Sequence, residues 1–255
     1  MIAPQPLQVS VVVPTYQRPD LLQRCLQALH EQTLAADAFE IIVADDGPSD
    51  LTRALVSQFA ARHGPAMRYV AVTDTQGPSG ARNRGWQLAQ AAIVAFTDDD
   101  TVPDPEWLAQ GLAAFTPGVA AAVGRVVMPL SQPPTDYELN ESGLTRAEFA
   151  TANVFVAKWA LQEVGGFDER FELAWREDSD LHFALLSRGH RIVSAPDALV
   201  VHPVRPAPPG ISVRQQRKVV FDALLYKKWP QLYRARIRPQ PPWNYFAIVA
   251  CLLAA

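Results

Sequence analysis

VSVVVPTYQRPDLLQRCLQAL, residues 9–29, sets a β-branched apolar run, Val9–Val13, before a leucine-spaced helical stretch, Leu21–Leu29. The same alternation continues to residue 96. Strands are expected at Glu40–Ala44, Met67–Val72 and Ala92–Phe96, with helices at Leu51–Ala61 and Ser79–Ala91 between them. Near-continuous apolar strands separated by helices imply an α/β fold with a mostly parallel central sheet flanked by helices on both faces. Such sheets bind ligands at the carboxyl ends of their strands. Pro14-Thr15-Tyr16, Asp45-Asp46-Gly47 and Thr97-Asp98-Asp99-Asp100 stand at those ends.

Beyond Asp100 the pattern loosens. Pro103 and Pro105 open a helix over Glu106–Phe115, and Val119–Val127 reads as a strand. Ser131–Gly143 is polar and proline-containing and reads as a surface loop. Thr151–Val156, the helix Lys158–Val164 and the Gly165-Gly166 turn follow. A helix over Asp178–Arg188 stops at Gly189, and short strands at Arg191–Ser194 and Ala198–Val201 complete the body. Prolines 203, 206, 208 and 209 mark a linker, followed by a basic helical stretch, Val213–Lys228, a second proline cluster, and the apolar run Tyr245–Ala255. Two units are expected: a body over 1–203, with halves 1–100 and 101–203, and a linker and tail over 204–255.

With 49% hydrophobic residues in 255, the chain has material for a substantial core, which excludes a disordered protein. The net charge of −3 argues against nucleic-acid binding. Cys25 and Cys251, the two cysteines, make neither a disulfide framework nor a thiolate zinc cluster, so a reducing compartment is the default. The first dozen residues lack the basic start of a secretion signal. Charge is uneven: from Arg205 onward nine Arg/Lys face the single acid Asp222, leaving an acidic body and a basic tail. The eleven-residue apolar run is short for a bilayer span, which takes roughly 20 residues. It suits a docked helix, an interfacial segment or half of a longer span.

Three adjacent carboxylates after a buried strand repel one another and call for compensation. A hard divalent cation, Mg²⁺ or Mn²⁺, provides it; an acidic turn capping the helix near Asp104 is the structural alternative. Asp46-Gly47 is equally a turn signal, but its place at the same sheet edge suits ligand contact. Tyr16 can stack on a base there, while Asp46 can accept the imide N–H of a uracil-like ring. Asp178 opens an amphipathic helix beside Trp175 and reads either as a helix-terminal acid or as a general base towards a hydroxyl. His202, at a strand end, is a structural histidine or a further metal ligand.

Taken together, six segments resemble the family 2 inverting glycosyltransferases with their GT-A, Rossmann-like fold. They are VSVVVPTYQRPDLLQRCLQAL from Val9, EIIVADDG from Glu40, GPSGARNRG from Gly77, AFTDDDTVPDPEWL from Ala95, EVGGFDERF from Glu163 and WREDSDLHFALLSRG from Trp175. The resemblance implies a nucleoside-diphosphate-sugar donor, UDP-type favoured, a hydroxyl acceptor of glycan, lipid-linked or small-molecule type, and a divalent metal. Pro14, Thr15, Tyr16 and Asp46 would line the base pocket, Arg82 would face the nucleotide, and Asp98 with Asp99 would approach it. Asp100 and His202 would hold the metal. Asp178 would be the catalytic base, and Asn153, Gly166, Trp175 and Glu177 would form the acceptor side.

A sugar nucleotidyltransferase ranks low, because PTYQRPD stands where that class carries a glycine-rich basic signature. A non-catalytic sugar-nucleotide-binding scaffold is the remaining alternative. The basic tail suggests either peripheral contact with an anionic membrane or a helix docked on the body or a second subunit. A cytoplasmic enzyme, at the inner face of the cell membrane in the first case, is expected.

Overall fold

The computed structural model describes residues 6–208 and 210–254. Pro209 of the linker, Ala255 of the apolar run and residues 1–5 of the start, where no secretion signal is expected, lie outside them. The first half alternates as its sequence requires: β1 (Val9–Thr15), α1 (Pro19–His30), β2 (Phe39–Asp45), α2 (Asp50–Ala60), β3 (Ala66–Ala71), α3 (Pro78–Leu88) and β4 (Ile93–Phe96). β1 and β2 are buried along their whole length. The twofold period of a strand divides their side chains between two layers. Val9, Val11, Val13, Ile41 and Val43 join Leu22, Leu26 and Phe59 of α1 and α2 on one face. Val12 and Ile42 join Trp86 of α3 on the other.

The second half comprises β5 (Val102–Pro103), α4 (Trp107–Ala113), β6 (Val119–Val127), α5 (Asp136–Glu141), β7 (Val154–Ala157), α6 (Lys158–Val164), α7 (Glu177–Ser187) and β8 (Arg191–Val201). The eight strands form one sheet in the order β3-β2-β1-β4-β7-β6-β8-β5. β1, β2, β3 and β4 pair in parallel, as do β6 and β8, whereas β7 runs antiparallel to β4 and β6 and β5 antiparallel to β8. The strand order reverses direction between β1 and β4, so a crevice opens at their carboxyl ends. Thr15 and Asp98 stand at that crevice.

Buried polar groups of the sheet are satisfied within it. Ser10 Oγ donates to Glu40 Oε1 at 2.7 Å, the backbone N–H of Gln90 donates to the same oxygen at 2.7 Å, and Arg68 pairs with the other. This network fastens the turn that delivers β4 beside β1.

Several elements differ from the sequence reading. The polar stretch 131–143 holds α5, whose Thr135 and Glu138 cap its first turn reciprocally. The two short strands near 191 and 198 are one strand, β8, whose register slips between Gly124 and Arg125 of β6, opposite Pro196. Pro103 ends an edge strand, where a missing N–H is tolerated, and does not open a helix.

The tail adds α8 (Ile211–Gln215), α9 (Val219–Lys228), α10 (Pro230–Arg236) and α11 (Trp243–Ala254). Phe221 and Leu225 of α9 are buried against Phe171 and Phe183 of the body. Lys228 pairs with Asp168 at 2.6 Å and with Asp180 at 2.7 Å, and Trp229 Nε1 donates to Asp180 at 2.7 Å. α9 and α10 are therefore docked on the body, whereas α11 exposes its apolar side chains, from 44% at Tyr245 to 84% at Leu253. No helix among the described residues is long and apolar enough to cross a membrane.

Phe155 on β7 is fully buried and packs on Trp107 with ring centroids 5.1 Å apart. Phe155→Ala is expected to lower unfolding stability by about 3–5 kcal/mol in urea titration, the range for truncating a core aromatic. A loss below about 1 kcal/mol would show that this layer is not the packed core described.

Candidate active site

The three acids after β4 divide by direction. Asp99 turns inward: it is fully buried, accepts from Thr15 Oγ1 at 2.7 Å and pairs with Arg18 at 2.9 Å. Burial pushes its carboxyl up to about 7. Asp98 and Asp100 face a cleft of about 870 Å³. The loop holds this shape because Thr101 Oγ1 donates to the Asp98 carbonyl at 2.7 Å and Thr97 Oγ1 to the Ala152 carbonyl at 2.9 Å.

His202 follows β8 and reaches the same point, its Nε2 3.5 Å from Asp100 Oδ1. Asp98, Asp100 and His202 offer ligand atoms all within 4.8 Å of one another. Two carboxylate oxygens and an imidazole nitrogen form a donor set suited to a hard-to-borderline divalent cation. The Nδ1 of His202 is buried without a hydrogen-bond partner. Asp98, expected at the nucleotide, thus belongs with the candidate metal ligands. Arg205 Nε at 3.0 Å and Arg18 Nη1 at 3.5 Å supply counter-charge to Asp100.

Arg82 on α3 is buried between two acids, with Nη2 2.7 Å from Asp98 Oδ1 and Nη1 3.1 Å from Glu177 Oε1. Burial opposes ionisation of Asp98, but Arg82 and His202 hold its carboxyl below the usual range. Burial pushes Glu177 up to about 7 even beside Arg82. Next to it, Asp178 Oδ1 accepts from the backbone N–H of Ser179 at 2.6 Å, in the first turn of α7. Desolvation at the cleft wall raises its carboxyl.

Asp45 and Asp46 also divide their work. Asp45 accepts from the N–H groups of Gly47 and Ser49 and from the Tyr69 hydroxyl, as a turn residue does. Asp46 Oδ2 accepts from the N–H of Gly77 at 2.8 Å, while its buried Oδ1 has no partner. Gly77 has φ +93°, and a Cβ there would run into the Glu172 carbonyl, so this approach needs glycine. Tyr16, 51% exposed, lies over Gly47.

Pro14, Thr15, Tyr16, Asp46, Arg82, Asp98, Asp100, Trp175, Glu177, Asp178 and His202 all line this one cleft. Three expected site residues do not. Asp99 points into the body, as described. Asn153 is fully buried, and its amide is spent on Trp107 Nε1 and on the carbonyls of Arg125 and Ala198. Gly166 sits at φ +74° against Asn83 and Trp86, outside the cleft, and serves the packing of α6 on α3. Basic residues that line the cleft without having been expected there include Arg18, Arg146 and His182, and Arg205, Lys218 and Arg236 of the basic tail. The need for cations beside three acids points towards Arg18 and Arg205; for the others no local signal exists.

Glycosyl transferase family 2 matches residues 10–162, and Glycosyl transferase family group 2 matches residues 93–254. Glycosyltransferase AglE of Haloferax volcanii is 28% identical over 210 residues, covering 78% of this chain and 67% of that protein. Validoxylamine A glucosyltransferase of Streptomyces hygroscopicus subsp. jinggangensis is 30% identical over 220 residues, covering 71% of this chain and 52% of that protein. The chain thus spans between half and two thirds of these relatives. Among solved structures, mannosyltransferase PcManGT from Pyrobaculum calidifontis, in complex with GDP-Man and Mn²⁺, aligns with a TM-score of 0.68 at 24% identity, over 99% of this chain and 77% of that one. S. aureus TarS 1-349 with UDP-GlcNAc aligns with a TM-score of 0.64 at 18% identity, over 91% and 76%. The architecture is the GT-A fold. The chain belongs to glycosyl transferase family 2.

Arg82→Met keeps the aliphatic stem but leaves Asp98 and Glu177 without their buried partner. Breaking such a pair is expected to cost about 3–5 kcal/mol in denaturant unfolding. An unchanged midpoint would show that the two acids are not held by this guanidinium.

Proposed function

We propose that this protein transfers a sugar from a nucleoside-diphosphate sugar to a hydroxyl acceptor, inverting the anomeric carbon. The observation that carries the reading is the convergence of Asp46, Asp100 and Asp178, far apart in sequence, on one cleft. The pocket of Tyr16 and Asp46 takes the base. The unpartnered Asp46 Oδ1 suits an imide N–H, which favours a uracil-type donor. Pro14 and Thr15 wall that pocket.

Asp98, Asp100 and His202 would hold a divalent cation, Mn²⁺ or Mg²⁺, which when bound supplies counter-charge to the diphosphate. Asp178 removes the proton of the acceptor hydroxyl. That oxygen forms its bond to the anomeric carbon as the bond to the diphosphate breaks on the opposite face, which inverts the configuration. Trp175 and Glu177 line the acceptor side. The acceptor belongs to the glycan, lipid-linked or small-molecule hydroxyl compounds, cell-envelope polysaccharide among them.

The basic tail and exposed α11 support a peripheral contact with anionic lipid at the inner face of a cell membrane. α11 is about 18 Å long at 1.5 Å per residue, enough to lie in one leaflet. Flotation with vesicles rich in phosphatidylglycerol, but not with neutral ones, is the expected outcome; failure to float with either would reject the contact.

Asp178→Asn is expected to slow nucleotide release in the presence of acceptor by roughly two to four orders of magnitude. Thermal stabilisation by UDP with Mn²⁺ should remain. Because the base acts deprotonated and its carboxyl is raised, the wild-type rate should fall with decreasing pH from above the ordinary carboxylate range. Undiminished transfer by Asp178→Asn would remove the assignment.

A further inference from the structure

The tail carries nine basic residues and one acid, Asp222, and that acid is not at the surface as a solvated counter-charge. Its carboxylate faces the loop that leads into α7. Oδ2 accepts from the indole Nε1 of Trp175 at 2.8 Å, and Oδ1 accepts from Arg176 Nε at 2.8 Å and from the Tyr233 hydroxyl at 3.1 Å. The two residues it grips immediately precede Glu177 and Asp178. Arg176 holds φ at +74°, a left-handed conformation that a long side chain adopts only where neighbours enforce it. Its guanidinium also lies over the Trp175 ring, 4.8 Å from the centroid, and the Lys218 ammonium lies 5.9 Å from the same ring. Trp175 is 38% exposed and its open side faces the cleft.

We propose that Asp222, reaching over from α9, is the positioning residue of the acceptor side: it clamps Trp175 and Arg176 and so fixes the aromatic wall beside Asp178. The proposal rests on the transfer reading above and deepens it, because it makes the docked tail part of the acceptor site. The donor side takes no part in the clamp. Asp46, Asp98, Asp100 and His202 follow the ends of β2, β4 and β8, and none of them contacts Asp222 in the bonds described. Charge explains the choice of residue. A carboxylate can accept from an indole, a guanidinium and a phenol at once, and an amide in its place offers a single acceptor oxygen and no charge for Arg176.

The test uses the full chain with Asp222→Asn, Asp222→Glu and Trp175→Phe. In a ¹⁵N–¹H spectrum the Trp175 indole signal, identified as the one missing in Trp175→Phe, should shift in Asp222→Asn and move back towards wild type in Asp222→Glu. Thermal stabilisation by UDP with Mn²⁺ should stay as in wild type. With the sugar nucleotide that gives turnover and a p-nitrophenyl glycoside as hydroxyl acceptor, kcat/KM for the acceptor should fall about tenfold or more, mainly through KM, as suits the loss of charged hydrogen bonds. The donor KM should not move, and Asp222→Glu should recover part of the loss. Trp175→Phe, which keeps one aromatic ring but loses the fused pyrrole ring with its N–H, should lower acceptor kcat/KM at least as much without threatening the fold. In the Trp175→Phe background Asp222→Asn should cost less than it does in the wild type. An unmoved indole signal, an unchanged acceptor KM, or equal loss on the donor and acceptor sides would overturn the proposal. Absence of nucleotide release by the wild type with any donor would count against the transfer reading alone, and the indole shift would still decide the clamp.

Discussion

The guanidinium of Arg82, buried between Asp98 and Glu177, is the constraint on which the site depends. Burial opposes ionisation of both carboxylates, since desolvation of an ion costs several kcal/mol, and the shared guanidinium offsets part of that cost. One cation therefore joins the loop after β4 to the start of α7, which places the candidate metal ligands and the candidate base in one cavity. The helix that carries Arg82 is itself stitched to both halves. Ser79 Oγ donates to the Phe171 carbonyl at 2.9 Å, and the Asn83 side chain accepts from the Phe167 N–H and donates to its carbonyl, each at 2.9 Å. α3 is thus a joint between the first half of the sheet and the segment that leads into α7.

The remaining parts follow from where the sheet reverses. β1 and β4 are parallel neighbours reached from opposite directions, so their carboxyl ends leave a gap that no crossover covers. His202 and Arg205 enter the gap from the end of β8, and Lys218 and Arg236 of the tail line the same cleft. A segment that composition separates as a linker and basic appendage is in the fold a wall of the cleft.

Much of this was legible in the chain. The β-branched runs of β1, β2 and β4 announce buried parallel strands, and the acids after them mark the ligand edge. The period of two even divides Val9, Val11 and Val13 from Val12. Other features were hidden for physical reasons. Asn153 is polar and adjoins a strand, as a binding residue would, yet its amide is consumed by Trp107 and two carbonyls, a fact only tertiary structure contains. Asp98, Asp99 and Asp100 are identical in kind, and only the turn of the loop decides that the middle one faces inward. The capping pair Thr135 and Glu138 was readable, but surrounding prolines masked it. The grip of Asp222 on Trp175 spans 47 positions and leaves no local trace.

Asp98, Asp100 and His202 on one side of the cleft and Tyr16 and Asp46 on the other are proposed to hold a single ligand that spans both. Electron paramagnetic resonance titration of Mn²⁺, with and without saturating UDP and corrected for the Mn–UDP complex in solution, measures this directly. If one cleft binds both, UDP should raise the affinity of the protein for Mn²⁺ at least about tenfold, within the usual span of coupling between linked sites. Mn²⁺ binding that is indifferent to UDP would contradict the account.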